Sequence, residues 1–201
     1  MNVVSKVSLG VAGLAIAASV AVYPWLPQRM PTHFDIEGHA NGFSSRAFGA
    51  FLLPLTILAI TALGFAMRAK NPAVPIVTAL TSCFMLALHV LVLRAALASG
   101  DLADAMWLAL GALFVGLGLL MPRVRPNRYV GIRTRWTRSS PEAWARTHRA
   151  AGRVMVIGGA LFALSSVPGA LAIPLRVGAL LVTTVAPIAQ SWWIARRLGA
   201  S

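Results

Sequence analysis

A chain of 201 residues with 58% apolar side chains and only 11% charged ones is too apolar for an ordinary soluble domain of its size. A net charge of +13 would suggest a nucleic-acid binder in water, but the arginines flank apolar blocks, where membrane topology and anionic headgroups require them. Direct nucleic-acid binding is set aside on that ground, and a lone cysteine, Cys83, excludes an intrachain disulfide.

The apolar residues fall in six blocks: Val7–Leu26, Ala47–Met67, Pro75–Ala98, Ala105–Met121, Val154–Ala172 and Leu175–Ala195. A helix rises 1.5 Å per residue, so ~20 apolar residues cross the hydrocarbon core. The blocks predict an all-α, multi-pass membrane bundle of six transmembrane helices. With a cytoplasmic N-terminus, 14 of the 18 basic residues lie on the inside and four (Arg29, Arg46, Arg94 and Arg176) outside or at outer helix ends. That asymmetry places both termini in the cytoplasm. Residues 1–72 form a two-helix unit with an extracytoplasmic loop, 27–46. Residues 73–201 form a four-helix unit with a basic cytoplasmic loop, 122–153.

The first block superficially fits a signal peptide, with Lys6 ahead of it and Ala18, Ser19 and Ala21 near its end. The apolar run continues to Trp25 and Leu26, and cleavage would leave an odd number of spans. A retained first helix is expected.

The loop after it is unusual. Pro27 and Pro31 stop the helix, and Asn41-Gly42 is a turn signal. Between them Thr32, Phe34 and Ile36 alternate with His33, Asp35 and Glu37, so in an extended chain the last three share one face. His33 and Asp35, with His39 nearby, offer three ligands to a divalent metal, or a proton-exchange set. The favoured account is a polar loop with Phe34 and Ile36 packed on the bundle and His33 hydrogen-bonded to Asp35 for shape. No other cofactor is indicated.

The third block holds Cys83, read as a small core residue, and two ionisable groups. Arg94 lies near the outer end and is expected to snorkel. His89 lies about a turn deeper, either hydrogen-bonded to a neighbouring helix or serving proton transport. Glycines within the spans (Gly111, Gly116, Gly118, Gly158 and Gly159) predict close helix approach. The links Arg68–Val74 and Ser99–Asp104 are short, so their helices should run antiparallel.

The inner loop has nine arginines and one glutamate in 32 residues. Ser140 and Pro141 read as a helix start. On that helix Trp144, His148 and Ala151 share one face, opposite Arg146, Arg149 and Arg153, and Glu142 precedes Arg146 by four. This predicts an amphipathic interfacial helix leading into the fifth span, with a membrane anchor or a docking surface as its role. Between the last two spans, Pro168, Gly169 and Pro174 interrupt the helix.

Two stretches resemble a known family. Tyr23-Pro24-Trp25-Leu26-Pro27, followed by Pro31-Thr32-His33-Phe34-Asp35, Gly38 and Asn41-Gly42, is similar to the uncharacterised N-terminal domain of SdpI-type membrane proteins. Asn127, Tyr129, Gly131, Arg133, Thr134, Trp136, Thr137, Ser140, Trp144, His148 and Gly152 resemble the signature of the SdpI immunity family, with Arg135 standing where that family has proline. The resemblance implies an inner-membrane immunity protein that gives resistance to a secreted membrane-active peptide toxin. It further implies a receptor that holds a transcriptional repressor at the membrane. The functional residues would then be Pro31 to Asp35, Glu37, Gly38, His39, Asn41 and Gly42 outside, and the Asn127–His148 motif inside.

Two other classes compete. A membrane enzyme acting on lipid or peptide would use His33, Asp35, Glu37 and His39, or Arg133, Trp136 and His148, although neither set shows a nucleophile–base pair. A small transporter would need helices broken near mid-bilayer, for which Pro54 and Pro187 are the candidates.

Overall fold

The computed structural model describes residues 3–98, 103–167 and 169–199. The expectation placed on Pro168 and most of the link Ser99–Asp104 lie outside the described residues.

Helix α1 (Val3–Val22) tightens into a 3₁₀ turn at Tyr23–Trp25, where Pro24 and Pro27 end it. Strands β1 (Arg29–Phe34) and β2 (Ala40–Ser45) then pair antiparallel. The body of the structure is helical as expected, and this short hairpin is an addition confined to the outer loop. Its turn differs from the predicted one. His33 faces Gly42 and Phe34 faces Ala40, so Asn41-Gly42 lies within β2 and the chain reverses at Asp35–His39. Asp35 prevails over Asn-Gly because its Oδ1 accepts the backbone N–H groups of Glu37 and His39, both at 2.9 Å, while Gly38 takes φ 91°.

Ser45 caps α2 (Arg46–Met67) by accepting the Phe48 N–H. Helices α3 (Ala73–Ala98) and α4 (Ala103–Leu120) follow. A 3₁₀ turn at Met121–Arg123 and a short α5 (Arg135–Ser139) lead to α6 (Pro141–Leu164), which Ser140 caps as predicted. Helix α7 (Ala172–Arg197) closes the bundle.

Helices α1, α2 and α3 form one group. Ser19 meets Ala50 at one end of the α1–α2 pair and Ser8 meets Thr61 at the other, so those helices are antiparallel. Ser19 also meets His89, and with Ser8 and Thr78 lining one recess, α1 and α3 are parallel. Helices α4, α6 and α7 form the second group, joined to the first where Gly116 packs against Leu80. A Cβ on Gly111 would lie 2.6 Å from the Gly159 carbonyl oxygen, and one on Gly118 would lie 2.7 Å from that of Gly152. The glycines therefore bring α4 and α6 backbone to backbone in antiparallel register, as predicted.

The bundle is inverted relative to a water-soluble one. Its interior holds Ser8, Ser19, Thr61, Thr78, Ser82 and His89, while Leu14, Leu55, Leu63, Leu181 and Ile188 are more than half exposed. Such a continuous apolar exterior belongs against lipid. Cys83 is on that exterior, which corrects its reading as a core residue; the α3 inner face runs through Thr78, Ser82, His89 and Leu93, and Cys83 lies off it.

Among the described residues, five helical stretches are long and apolar enough to cross a membrane: Val3–Trp25, Arg46–Met67, Ala73–Ala98, Asp104–Arg123 and Ala172–Arg197. The expected fifth span, Val154–Ala172, is not among them. It forms the second half of α6, continuous with the amphipathic helix, and stops at Leu164 rather than Ala172. The Ser165 and Ser166 hydroxyls end it by bonding back to the Phe162 and Ala163 carbonyls, and Gly169 turns at φ 153°. Pro174 does not interrupt α7 but sits in its first turn, where a missing N–H costs nothing. Pro54 and Pro187 likewise lie inside unbroken helices, so the broken spans a transporter reading needs are not there.

Candidate functional site at the two polar ends of the bundle

The hairpin caps one end. Met30 is fully buried with Leu26, Ala50 and Leu93, which seats β1 on α1, α2 and α3. Pro31 and Gly38 are buried, Thr32 and Phe34 half-buried, and His33, Glu37, His39 and Asn41 exposed. Thr32 Oγ1 lies 3.1 Å from Ser44 Oγ, stitching the strands, and Gly42 leaves room for His33.

Asp35, Glu37 and His39 bring their ligand atoms within 4.8 Å of one another. This corrects the predicted metal set of His33, Asp35 and His39. β1 ends at Phe34, so the alternation that would align His33 with Asp35 breaks there and Glu37 takes its place. Burial works to raise the Asp35 pKa, but the N–H groups of His39, Glu37 and Gly38 and the His39 imidazole outweigh it, holding the carboxyl below its usual range. An Asp35 oxygen committed to the Glu37 and His39 N–H groups shapes the turn, where the polar-loop account has Asp35 bonded to His33. Ile36 departs from that account, being exposed rather than packed on the bundle.

The turn is held from beyond the hairpin. Arg176, at the start of α7, is 4% exposed. Its Nη1 donates to the Ile36 carbonyl at 2.8 Å and its Nη2 to the Ser165 carbonyl at 3.2 Å. The guanidinium lies 3.7 Å from Asp104 and 5.2 Å from the centre of the Trp107 ring. One cation thus joins the hairpin to α4, α6 and α7. The sequence reading had it as one of four outer charges. The available signal was an arginine beside an apolar run, which must find partners.

The opposite end is closed by the segment after α4. Asn127 Oδ1 accepts the N–H groups of Tyr129 and Val130, each at 2.7 Å, and its Nδ2 donates to the Arg125 and Val130 carbonyls. Gly131 then passes at φ 116° over His148, where any Cβ would collide with Nε2. Ile132 N–H donates to that Nε2 at 3.1 Å, and His148 Nδ1 lies 2.9 Å from the Trp144 carbonyl. A carbonyl only accepts, so Nδ1 carries the proton and the imidazole is neutral. Trp144 stacks on His148 at 4.1 Å and donates from Nε1 to the Val124 carbonyl at 2.7 Å. Thr134 caps α5 and reaches Ser191 of α7 at 3.0 Å, while Thr137 donates to the Ile132 carbonyl at 2.7 Å. Asn127, Gly131, Thr134, Thr137, Trp144 and His148 are therefore one interlocked set. Arg133 and Tyr129 are exposed, and Trp136 is half-buried beneath Arg135. The enzyme reading required Arg133, Trp136 and His148 together, but both His148 nitrogens are committed to backbone.

In the first group His89 is buried, with Nε2 2.9 Å from Ser19 Oγ, which donates to the Ala50 carbonyl at 2.6 Å. The hydrogen-bonded alternative for His89 holds. Arg94 is exposed near the hairpin end, as snorkelling requires.

These features define a multi-pass membrane protein with a structured polar cap at each end. Residues 123–193 match the SdpI/YfhL protein family and residues 10–58 match a domain of unknown function, DUF1648. The chain thus carries a segment similar to the SdpI/YfhL family with that domain ahead of it, the pairing its motifs imply. No curated protein and no solved structure matches it.

Proposed function

We propose that this protein is an immunity protein of a bacterial inner membrane, giving resistance to a secreted membrane-active peptide, with a second role as a receptor for a cytoplasmic repressor. In this reading six helices cross the bilayer and both termini are cytoplasmic. The hairpin meets the peptide outside. The arginine-rich segment faces the partner inside.

The observation that carries the reading is Arg176. It belongs to the SdpI/YfhL segment yet grips the carbonyl of Ile36, next to the hairpin turn. The outer cap is thereby bonded to α7, whose far end meets the inner cap through Ser191 and Thr134. A peptide that prefers one position of the hairpin would bias the packing of α4, α6 and α7, and through it the inner surface.

The test is to challenge cells expressing the protein with candidate membrane-active peptides while recording growth and membrane potential. His33→Ala with Asp35→Ala is expected to abolish protection while the protein stays in the membrane. Tolerance equal to that of the unmodified protein would remove the hairpin from the mechanism. A strain equally sensitive with and without the unmodified protein would remove immunity to those peptides altogether.

A further inference from the structure

Between the arginine-bearing ends of α4 and α6 runs an open groove of about 800 Å³. One wall is Gly118, Leu119, Pro122 and Arg123; the other is Arg149, Gly152, Arg153, Val156 and Ile157. The second set falls at helical spacing, so one face of α6 changes along its axis from cationic at Arg149 and Arg153 to apolar at Val156 and Ile157. The change takes about 12 Å at 1.5 Å per residue.

Three guanidinium groups meet at the polar end, and none of them has an acidic partner within ion-pair distance among the described residues. Arg123 spends one nitrogen on the Leu119 carbonyl at 2.8 Å. Glu142, the one acid of this segment, is taken by Arg146 at 2.5 Å. Three charges without an acidic partner beside an apolar trough match a ligand with the same division: anion at one end, hydrocarbon at the other. The glycine contact at Gly118 and Gly152 supplies the floor, since no side chain there rises into the groove.

We propose that this groove binds one anionic glycerophospholipid of the adjacent leaflet. Its phosphate sits among Arg123, Arg149 and Arg153, and an acyl chain lies along Leu119, Val156 and Ile157. Basic recesses between membrane helices on the arginine-rich side select such headgroups, and arginine pairs with phosphate in a two-pronged geometry that lysine does not offer. The proposal rests on the membrane reading of the bundle and not on immunity.

The experiment is native mass spectrometry of the full chain released from nanodiscs containing phosphatidylglycerol and phosphatidylcholine in equal amounts. One phosphatidylglycerol per chain is expected to be retained in preference to phosphatidylcholine. The triple variant Arg123→Gln, Arg149→Gln and Arg153→Gln should lose that preference by on the order of a hundredfold, at roughly tenfold or somewhat less per arginine. Arg138→Gln, which does not line the groove, should retain it. Ile157→Gln should weaken retention, because the acyl chain loses its wall. Equal retention of the two lipids, or a triple variant that behaves like the unmodified protein, overturns the proposal. So does displacement of the lipid by millimolar inorganic phosphate, which would make the site one for free phosphate. All substituted side chains are exposed, and unchanged membrane fractionation of the variants separates a failed lipid site from a failed membrane assignment.

Discussion

At the scale of single residues, His148 is tightly constrained. It is 1% exposed, stacked on Trp144, and bonded through both nitrogens, one as donor and one as acceptor. It lies on the part of α6 that precedes the stretch facing α4. Burial pushes its pKa below the usual imidazole range, and the Trp144 carbonyl opposes that only in part. The sign follows from linkage. The folded protein holds His148 neutral, so the unfolded chain binds the extra proton first, near its ordinary value of about 6.5. The anchor is fully effective above that pH and weakens as acid is added below it, because a protonated Nε2 would point a hydrogen at the Ile132 N–H. Protection of the Ile132 amide and its neighbours, measured relative to the intrinsic exchange rate at each pH, is expected to fall between about pH 6.5 and pH 5. With His148→Gln the acid-induced step should vanish; an unaltered step would place the titrating group elsewhere. Sequence alone put His148 on a helix face with Trp144. That Gly131 must be glycine to pass over it was not legible, because the φ of 116° depends on two segments meeting in space.

At the scale of elements, patterns that depend on neighbours along the chain were legible and those that depend on distant partners were not. Ser140 and Pro141 announced the start of α6, and the intramembrane glycines announced its close approach to α4. The hairpin turn was misplaced because Asn41-Gly42 is a strong local signal, while the signal that prevailed is the Asp35 side chain folding back on its own backbone. The expected metal set shifted with it to Asp35, Glu37 and His39, since strand alternation had been carried to Glu37, three residues beyond the end of β1. The α4–α6 contact makes a quantitative prediction. Gly118→Val places branched carbons against the Gly152 carbonyl, with 2.7 Å available to its Cβ, and is expected to cost about 1–3 kcal/mol, as overpacking does. Gly178→Ala, in α7 where a Cβ meets nothing within 4 Å, should be neutral or stabilise by up to about 1 kcal/mol. Thermal melts of the two purified variants in one detergent test the contrast; equal melting temperatures would mean that the α4–α6 contact is looser than its geometry.

At the scale of the whole molecule, the outstanding question is how many times the chain crosses. Composition favours five crossings, because α6 carries Arg146, Arg149 and Arg153 and has only eleven residues after them, Val154–Leu164, free of charge. Packing favours six. α6 lies against the whole of α4 in antiparallel register, Gly111 facing Gly159 and Gly118 facing Gly152, so whatever slab contains α4 also contains the paired stretch of α6. The missing hydropathy is supplied by neighbours: α6 buries Gly152, Gly158, Gly159 and Phe162 between α4 and α7 and shows lipid a narrow strip. Arg176 makes the same point, since a five-crossing chain would start α7 on the arginine-rich side, where it cannot reach Ile36. The two accounts separate at Ala170, an exposed residue of the α6–α7 turn. In a Cys83→Ser background, a cysteine placed at His39 is expected to react with a membrane-impermeant maleimide on intact cells, and one placed at Arg138 only after permeabilisation. With six crossings, Ala170→Cys labels like the His39 position. If it labels like the Arg138 position, α6 rests on the inner surface and the bond between Arg176 and the hairpin does not exist in the membrane.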